Sequence, residues 1–293
     1  MIEVRYNEPM NRHTSFKIGG PVAELWLPQT KLDLTDAFAK LKRCGVTPLL
    51  FGNGSNLLFS DETKDIIAVK TVPSLGAVKL LGDTAVYAEC GVTLARLALF
   101  AAENSLAGLE FAHGIPGSVG GAIYMNAGAY GGELGQAVRC VDILTAEGEL
   151  TSLTREQCDF SYRHSVFHDN GAIVLSAVFD LSPSRETDIR AKMHELSVAR
   201  REMQPLEYPS AGSAFKRPAA KNGEPQFAAA MIDECGLKGF RVGGAAVSNK
   251  HAGFVVNLGG ATCDDVLRVL EHVQTVVFGR FGVTLEPEIK VVR

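Results

Sequence analysis

Gly114-Ile115-Pro116-Gly117-Ser118-Val119-Gly120-Gly121-Ala122 runs almost directly into Asn126-Ala127-Gly128-Ala129-Tyr130-Gly131-Gly132, and this glycine-rich stretch decides how the chain is read. Ordering so much glycine costs backbone entropy, so something must repay it. Side chains this small let the backbone pack closely against a large flat group, or let its N–H groups reach a diphosphate. Close packing of one backbone on another is the ordinary alternative. A second run, Gly52-Asn53-Gly54-Ser55-Asn56-Leu57, follows the apolar strand Thr47-Pro48-Leu49-Leu50-Phe51. It lacks the third glycine of a dinucleotide fingerprint and the Gly-Lys-Ser/Thr of a P-loop. Alone it reads as a tight turn. Two such loops in one chain point to an extended dinucleotide.

Outward from these loops, strand and helix patterns mix without strict alternation, which predicts α+β domains and not one doubly wound sheet. Residues 22–27 read as a strand. Leu32, Leu34, Phe38 and Leu41 predict an amphipathic helix ending at Gly45. Strands are expected at 66–69, 77–81, 85–90, 141–144 and 172–181, and Thr93 is placed to cap a helix. Ser182-Pro183-Ser184 reads as a linker. A helix then runs from Arg185 to Met203 and another from Gln226 to Cys235. Strands follow near 240–247 and 253–258. Thr262 opens a last helix that Gly282 closes, and residues 283–292 read as a final strand.

The chain has 293 residues, 46% hydrophobic and 21% charged, with net charge −4. That length allows two or more domains. The balance gives no basic excess to favour nucleic acid or an anionic membrane, so an anionic ligand must be held by local groups. The N-terminus shows no signal peptide and no run is long enough to span a bilayer, which predicts a cytoplasmic protein. Six scattered cysteines without a C-x-x-C pair predict reduced thiols and no zinc site. His164 and His168 have i, i+4 spacing, but no carboxylate completes a metal motif, and no metal is expected.

Three polar residues stand in unusual surroundings. Ser213 follows Pro209-Ser210-Ala211-Gly212. Arg163 lies in Phe160-Ser161-Tyr162-Arg163-His164-Ser165. Glu288 lies in Leu285-Glu286-Pro287-Glu288-Ile289, where alternation puts Leu285, Pro287 and Ile289 on one face and both glutamates on the other. Singly, each has a plain reading: a capping serine, a surface arginine, a solvated carboxylate. Ser213 lacks the setting of a nucleophile elbow.

Together the pieces resemble one family, the UDP-N-acetylenolpyruvylglucosamine reductases (MurB enzymes). The resemblance extends from Arg12-His13-Thr14-Ser15-Phe16-Lys17-Ile18-Gly19-Gly20 to Leu285-Glu286-Pro287-Glu288. Between them lie the two glycine loops, Tyr162-Arg163-x-Ser165, Gly212-Ser213-x-Phe215-Lys216, Gly243-Gly244-Ala245 and His251-Ala252-Gly253-Phe254. It implies a fold like the vanillyl-alcohol-oxidase family of FAD enzymes. Residues 1–64 and 65–183 would form two FAD-binding subdomains, and 184–293 a substrate-binding domain. It implies non-covalent FAD, its diphosphate on Gly52, Asn53, Gly54, Ser55, Asn56 and Leu57 and on Ile115, Pro116, Gly117, Ser118, Gly120, Gly121 and Ala122. It implies NADPH as hydride donor and a UDP-sugar substrate, with no obligate protein partner. Ser213 would be the proton donor, with Arg163 and Glu288 completing the catalytic set. Tyr162, Lys216, Arg217 and Tyr208 would be substrate contacts.

Two departures stand out. Many relatives read Phe-Lys-Asn-Pro where this chain has Phe215-Lys216-Arg217-Pro218. The chain also matches the short class without the extra tyrosine-bearing loop. The rivals are another flavin oxidoreductase of the same fold, against which the first loop holds no histidine for covalent attachment, and a non-catalytic UDP-sugar binder, which needs no proton donor. Valine at Gly54 or Gly117 is expected to expel FAD from a chain that stays folded.

Overall fold

The computed structural model describes residues 2–220 and 224–293. Contacts gather the chain into two interleaved units: Met1–Arg5, Glu24–Asn53 and Ile66–Arg200 in the first; Tyr6–Ala23, Gly54–Asp65 and Arg201–Arg293 in the second. Each has its own core, and both mix helices with strands.

The first unit is built on a five-stranded antiparallel sheet in the order Leu150–Thr154, Val138–Leu144, Ile173–Asp180, Ala85–Glu89, Val78–Leu81. The central strand Ile173–Asp180 is buried over seven of its eight residues, as a strand covered on both faces must be. Helices α1 (Lys31–Arg43), α2 (Leu94–Glu103) and α3 (Val119–Tyr124) belong to this unit, with α4 (Glu186–Met203) beginning in it. Thr30 caps α1 and Thr93 caps α2 through their side-chain oxygens. On α1, Leu34, Ala37 and Leu41 make the buried stripe, whereas Leu32, assigned to it from sequence, is 69% exposed. At about 100° per residue it lies roughly 200° from Leu34 and roughly 180° from Leu41, on the opposite face of the helix.

The second unit holds a four-stranded antiparallel sheet in the order Ser210–Ser213, Phe254–Asn257, Ala245–Val247, Arg241–Val242. Helix α5 (Ala228–Glu234) and the long α6 (Cys263–Phe281) complete it, with Val266, Val269, Leu270, Val273 and Val277 of α6 buried. Lys290–Val292 pairs in parallel with Leu57–Phe59.

Several expectations need correction. The strand expected near 240–247 is a hairpin, broken at Gly243 (φ 52°) and Gly244, whose N–H donates to the Asp265 carboxylate. Residues 283–292 pair as a strand only over Lys290–Val292. Phe215 and Pro287 form a single antiparallel bridge, closed by Lys216 N–H to Glu286 O and Glu288 N–H to Ala214 O. Leu285 and Ile289 are buried as expected, but Pro287 is exposed. Ser182–Pro183 is no free linker; it pairs with Leu106–Ala107.

Candidate active site

The two glycine loops meet. Asn53 Nδ2 donates to the Pro116 carbonyl at 2.8 Å, and a Cβ at Gly52 would overlap Ser118 Oγ, so only glycine fits there. Ser118 is 1% exposed, and its hydroxyl has no partner among the described residues. Among the described residues of the first unit, the backbone N–H groups of Gly52, Asn53, Gly117 and Gly121 donate to no protein acceptor. Gly52, Asn53 and Gly117 are half-buried and Gly121 is exposed, so these donors are open to a ligand or to water. Such an array is complementary to an anion. Directly behind it, the Cys90 carbonyl accepts from Gly120 N–H at 2.9 Å. Burial, with Glu89 adding to it, pushes the Cys90 thiol up to about 12, so it stays neutral and puts no negative charge behind the loop. The residues present therefore fit a bound diphosphate.

The second half of the first loop lies in the second unit and is held by the 12–20 motif. Gly54 has φ 62°, and a Cβ there would overlap the His13 carbonyl. Ser15 N–H donates to Gly54 O at 3.3 Å, while Ser15 Oγ donates to Ser210 O at 2.7 Å. One serine thus ties the loop to the strand that carries Ser213. Sequence reading treated this motif only as a marker of resemblance; its small polar and glycine residues, Ser15, Gly19 and Gly20, were the signal.

Ser213 ends the strand Ser210–Ser213. Between Ser210, opposite Val256, and Ser213, opposite Phe254, the register slips by one, a β-bulge with Gly212 at φ 78°. A bulge re-aims the next side chain. Here Ala211, Ala214 and Phe215 are buried while Ser213 is turned to solvent. Glu288 lies alongside: its N–H donates to Ala214 O at 2.9 Å and its carbonyl accepts from Asn56 Nδ2 at 3.1 Å. The second unit therefore brings Ser213, Glu288 and Asn56 of the first loop together.

Arg163 belongs to the first unit. It sits at φ 56° in a turn closed by reciprocal Ser161 and His164 backbone bonds of 3.1 Å. Its Nη2 donates to Gly128 O at 3.1 Å, and its guanidinium lies 5.1 Å from the ring of Tyr162, which is 45% exposed. His164 and His168 stack at 5.0 Å, and His164 Nε2 lies 3.2 Å from an Asp169 carboxylate oxygen. Among the described residues no group of three or more His, Cys, Asp or Glu side chains could hold a metal.

The expected substrate contacts divide. Lys216 Nζ is 2.5 Å from Glu286 Oε1, so an incoming anion would share it with that carboxylate. The Arg217 guanidinium lies 5.2 Å from the Phe227 ring. Tyr208 is 45% exposed in the turn after Pro205. Sequence reading also passed over Arg200, whose side chain lies against Gly114; burial holds its pKa below the usual guanidinium value, with Tyr130 opposing that shift.

Two family patterns match the chain. One, described as UDP-N-acetylenolpyruvoylglucosamine reductase, C-terminal domain, covers residues 204–292; the other, described as FAD binding domain, covers 23–154. The chain is 46% identical over 289 residues to UDP-N-acetylenolpyruvoylglucosamine reductase of Syntrophomonas wolfei, covering 99% of this chain and 95% of that protein. It is 45% identical to the enzyme of the same name from Lachnoclostridium phytofermentans, covering 99% and 93%. Among solved structures, UDP-N-acetylenolpyruvylglucosamine reductase (MurB) from Thermus caldophilus matches with TM-score 0.83 and 35% identity, over 100% of this chain and 99% of that one. The BBE-like 1 protein of Physcomitrella patens shares the fold over 62% of this chain and 42% of its own (TM-score 0.50, 12% identity).

Proposed function

Since the chain belongs to the UDP-N-acetylenolpyruvoylglucosamine reductase family, a family of FAD-dependent oxidoreductases of peptidoglycan precursor synthesis, we propose that it uses NADPH to reduce UDP-N-acetylglucosamine enolpyruvate to UDP-N-acetylmuramate. Both NADPH and a UDP-sugar are cytoplasmic metabolites, and among the described residues no helix is long and apolar enough to cross a membrane. Along the chain, we assign residues 1–64 and 65–183 to holding FAD and 184–293 to binding substrate.

Bound FAD would supply the hydride chemistry that links NADPH to the outer carbon of the enolpyruvyl double bond. The residues that would hold its diphosphate are the N–H donors of Gly52 and Asn53, those of Gly117 and Gly121, and the Ser118 hydroxyl. Once hydride arrives, negative charge develops on the carbon beside the substrate carboxylate. Arg163 stabilises that charge, with Glu288 acting through a hydrogen bond. Ser213 Oγ then gives its proton to this carbon. A serine hydroxyl is a weak acid, so it suits a strongly basic, carbanion-like acceptor. Tyr162, Tyr208, Lys216 and Arg217 are assigned to the substrate.

The observation that carries this reading is the bulge at Gly212, which exposes Ser213 on the strand next to Glu288. The test separates the two half-reactions. Ser213→Ala should bind FAD and be reduced by NADPH at close to the unmodified rate. Its reoxidation by the enolpyruvyl sugar should slow by at least about 10²-fold, the lower range for losing a positioned general acid. Stopped-flow flavin absorbance follows each step. Normal reoxidation would remove Ser213 from its role; failure at reduction would place it in the wrong half of the cycle.

A further inference from the structure

The glycine-rich stretch does more than line a diphosphate: its second half is the anchor of the turn that carries Arg163. Arg163 adopts φ 56°, a left-handed conformation in which a residue with a Cβ is strained. Such a residue persists only where its surroundings over-determine it. Here three hydrogen bonds do so, and all reach back to residues 124–128. Asn126 Nδ2 donates to Ser161 O at 2.9 Å, at the start of the turn. Ser165 Oγ donates to Tyr124 O at 2.7 Å, just after its end. Arg163 Nη2 donates to Gly128 O at 3.1 Å.

Asn126 is the centre of this anchor. It is 0% exposed and sits at φ 41°, a region asparagine tolerates better than most residues. Its two amide ends do different jobs: Nδ2 donates to Ser161 O, and Oδ1 accepts from Gly135 N–H at 2.9 Å. Both partners are backbone groups with one role each, so the amide can be neither flipped nor replaced by a carboxylate without putting two oxygens face to face. Ser165 is also 0% exposed, so the anchor is buried on both sides of the turn.

We propose that Asn126 is a positioning residue for the reaction: it fixes the Ser161–His164 turn, and with it the height and direction of the Arg163 guanidinium. The inference rests on the role given to Arg163 above. Its effect is confined to the half-reaction in which Arg163 acts, because the turn, not the diphosphate loop, loses its anchor. A displacement of about 1 Å at a group that meets a transition state costs on the order of 10²-fold in rate.

The test uses the full-length holoenzyme and two substitutions. Asn126→Gly keeps the left-handed backbone and removes the amide. Asn126→Asp keeps the acceptor for Gly135 and turns the donor to Ser161 into a repelling oxygen, so it still reports if the glycine variant does not fold. Both should hold FAD and be reduced by NADPH within about 3-fold of the unmodified rate, while reoxidation by the enolpyruvyl sugar slows at least about 10-fold. In an Arg163→Ala background the same substitutions should add almost nothing, since groups acting through one another are non-additive. Slowing of both half-reactions, or an undiminished further loss in the Arg163→Ala background, would make Asn126 merely structural and overturn the proposal. If Arg163→Ala slows reoxidation but neither Asn126 variant does, this inference fails alone. If Arg163→Ala itself reoxidises normally, the assignment of Arg163 fails and takes the inference with it.

Discussion

At Gly54 the backbone holds φ 62° and a Cβ would overlap the His13 carbonyl oxygen, whereas at Gly117 a Cβ would make only ordinary contacts of 3.8 Å with Ile115 and Leu94. The sequence alone marks both glycines as expected points of contact between ligand and backbone. Only the structure separates the one the fold itself requires from the one it does not. Gly54→Val should therefore lose stability and FAD together, by backbone strain and a clash with no ligand involved. That revises the expectation that both variants stay folded. Gly117→Val is the clean probe. Its apo-protein should melt within about 2 °C of the unmodified apo-protein, while its affinity for FAD, read by quenching of flavin fluorescence on titration, falls at least 10-fold. Unchanged affinity would show that the loop at Gly117 is a turn and nothing more. The same limit on legibility holds for Lys216. Its charge was visible in the sequence, but its pairing with Glu286, seventy positions away, depends on two segments meeting in the fold.

Most elements were legible from periodicity and caps; their pairing was not. The Thr262 cap and the Gly282 stop of α6 follow from local chemistry, and the structure has both, with Thr262 Oγ1 accepting from Asp265 N–H and Gly282 at φ 65°. The strand of Ser213 escaped notice because Ser-Ala-Gly-Ser carries no alternating apolar pattern. Its bulge is a matter of register against Phe254–Asn257, and register exists only between strands. Gly212 is the residue that makes the bulge affordable. At φ 78° alanine would carry about 1–2 kcal/mol of strain, although nothing lies within 4 Å of its Cβ. Gly212→Ala should thus relax the bulge with no steric clash. The expected result is slowed reoxidation by the enolpyruvyl sugar with FAD binding and NADPH reduction retained, as Ser213 swings from its place. Reoxidation at the unmodified rate would show that the bulge does not set the direction of Ser213.

At the scale of the whole molecule the chain crosses between the two units five times, after residues 5, 23, 53, 65 and 200. No local signal marks such crossings, because each short segment from the N-terminal part looks like the element beside it. Their packing is what distinguishes them. Phe16, Ile18 and Leu58 are at most 1% exposed in the same core as Val266, Val273 and Leu285. Leu57–Phe59 also supplies the partner strand for Lys290–Val292. The C-terminal family pattern begins at residue 204, close to the last crossing, which makes 201–293 look like a domain that stands alone. The packing argues otherwise. Burying each of those three side chains is worth about 1.5–3 kcal/mol, roughly 5–9 kcal/mol together. That is comparable to the entire stability of a typical domain. A fragment of residues 201–293 should accordingly lack a cooperative thermal transition by near-ultraviolet circular dichroism and bind a hydrophobic dye, while the full chain melts cooperatively. A sharp transition in the fragment would show that the core closes without the N-terminal segments. It would then follow that residues 6–23 and 54–65 are held by the second unit without being needed for its folding.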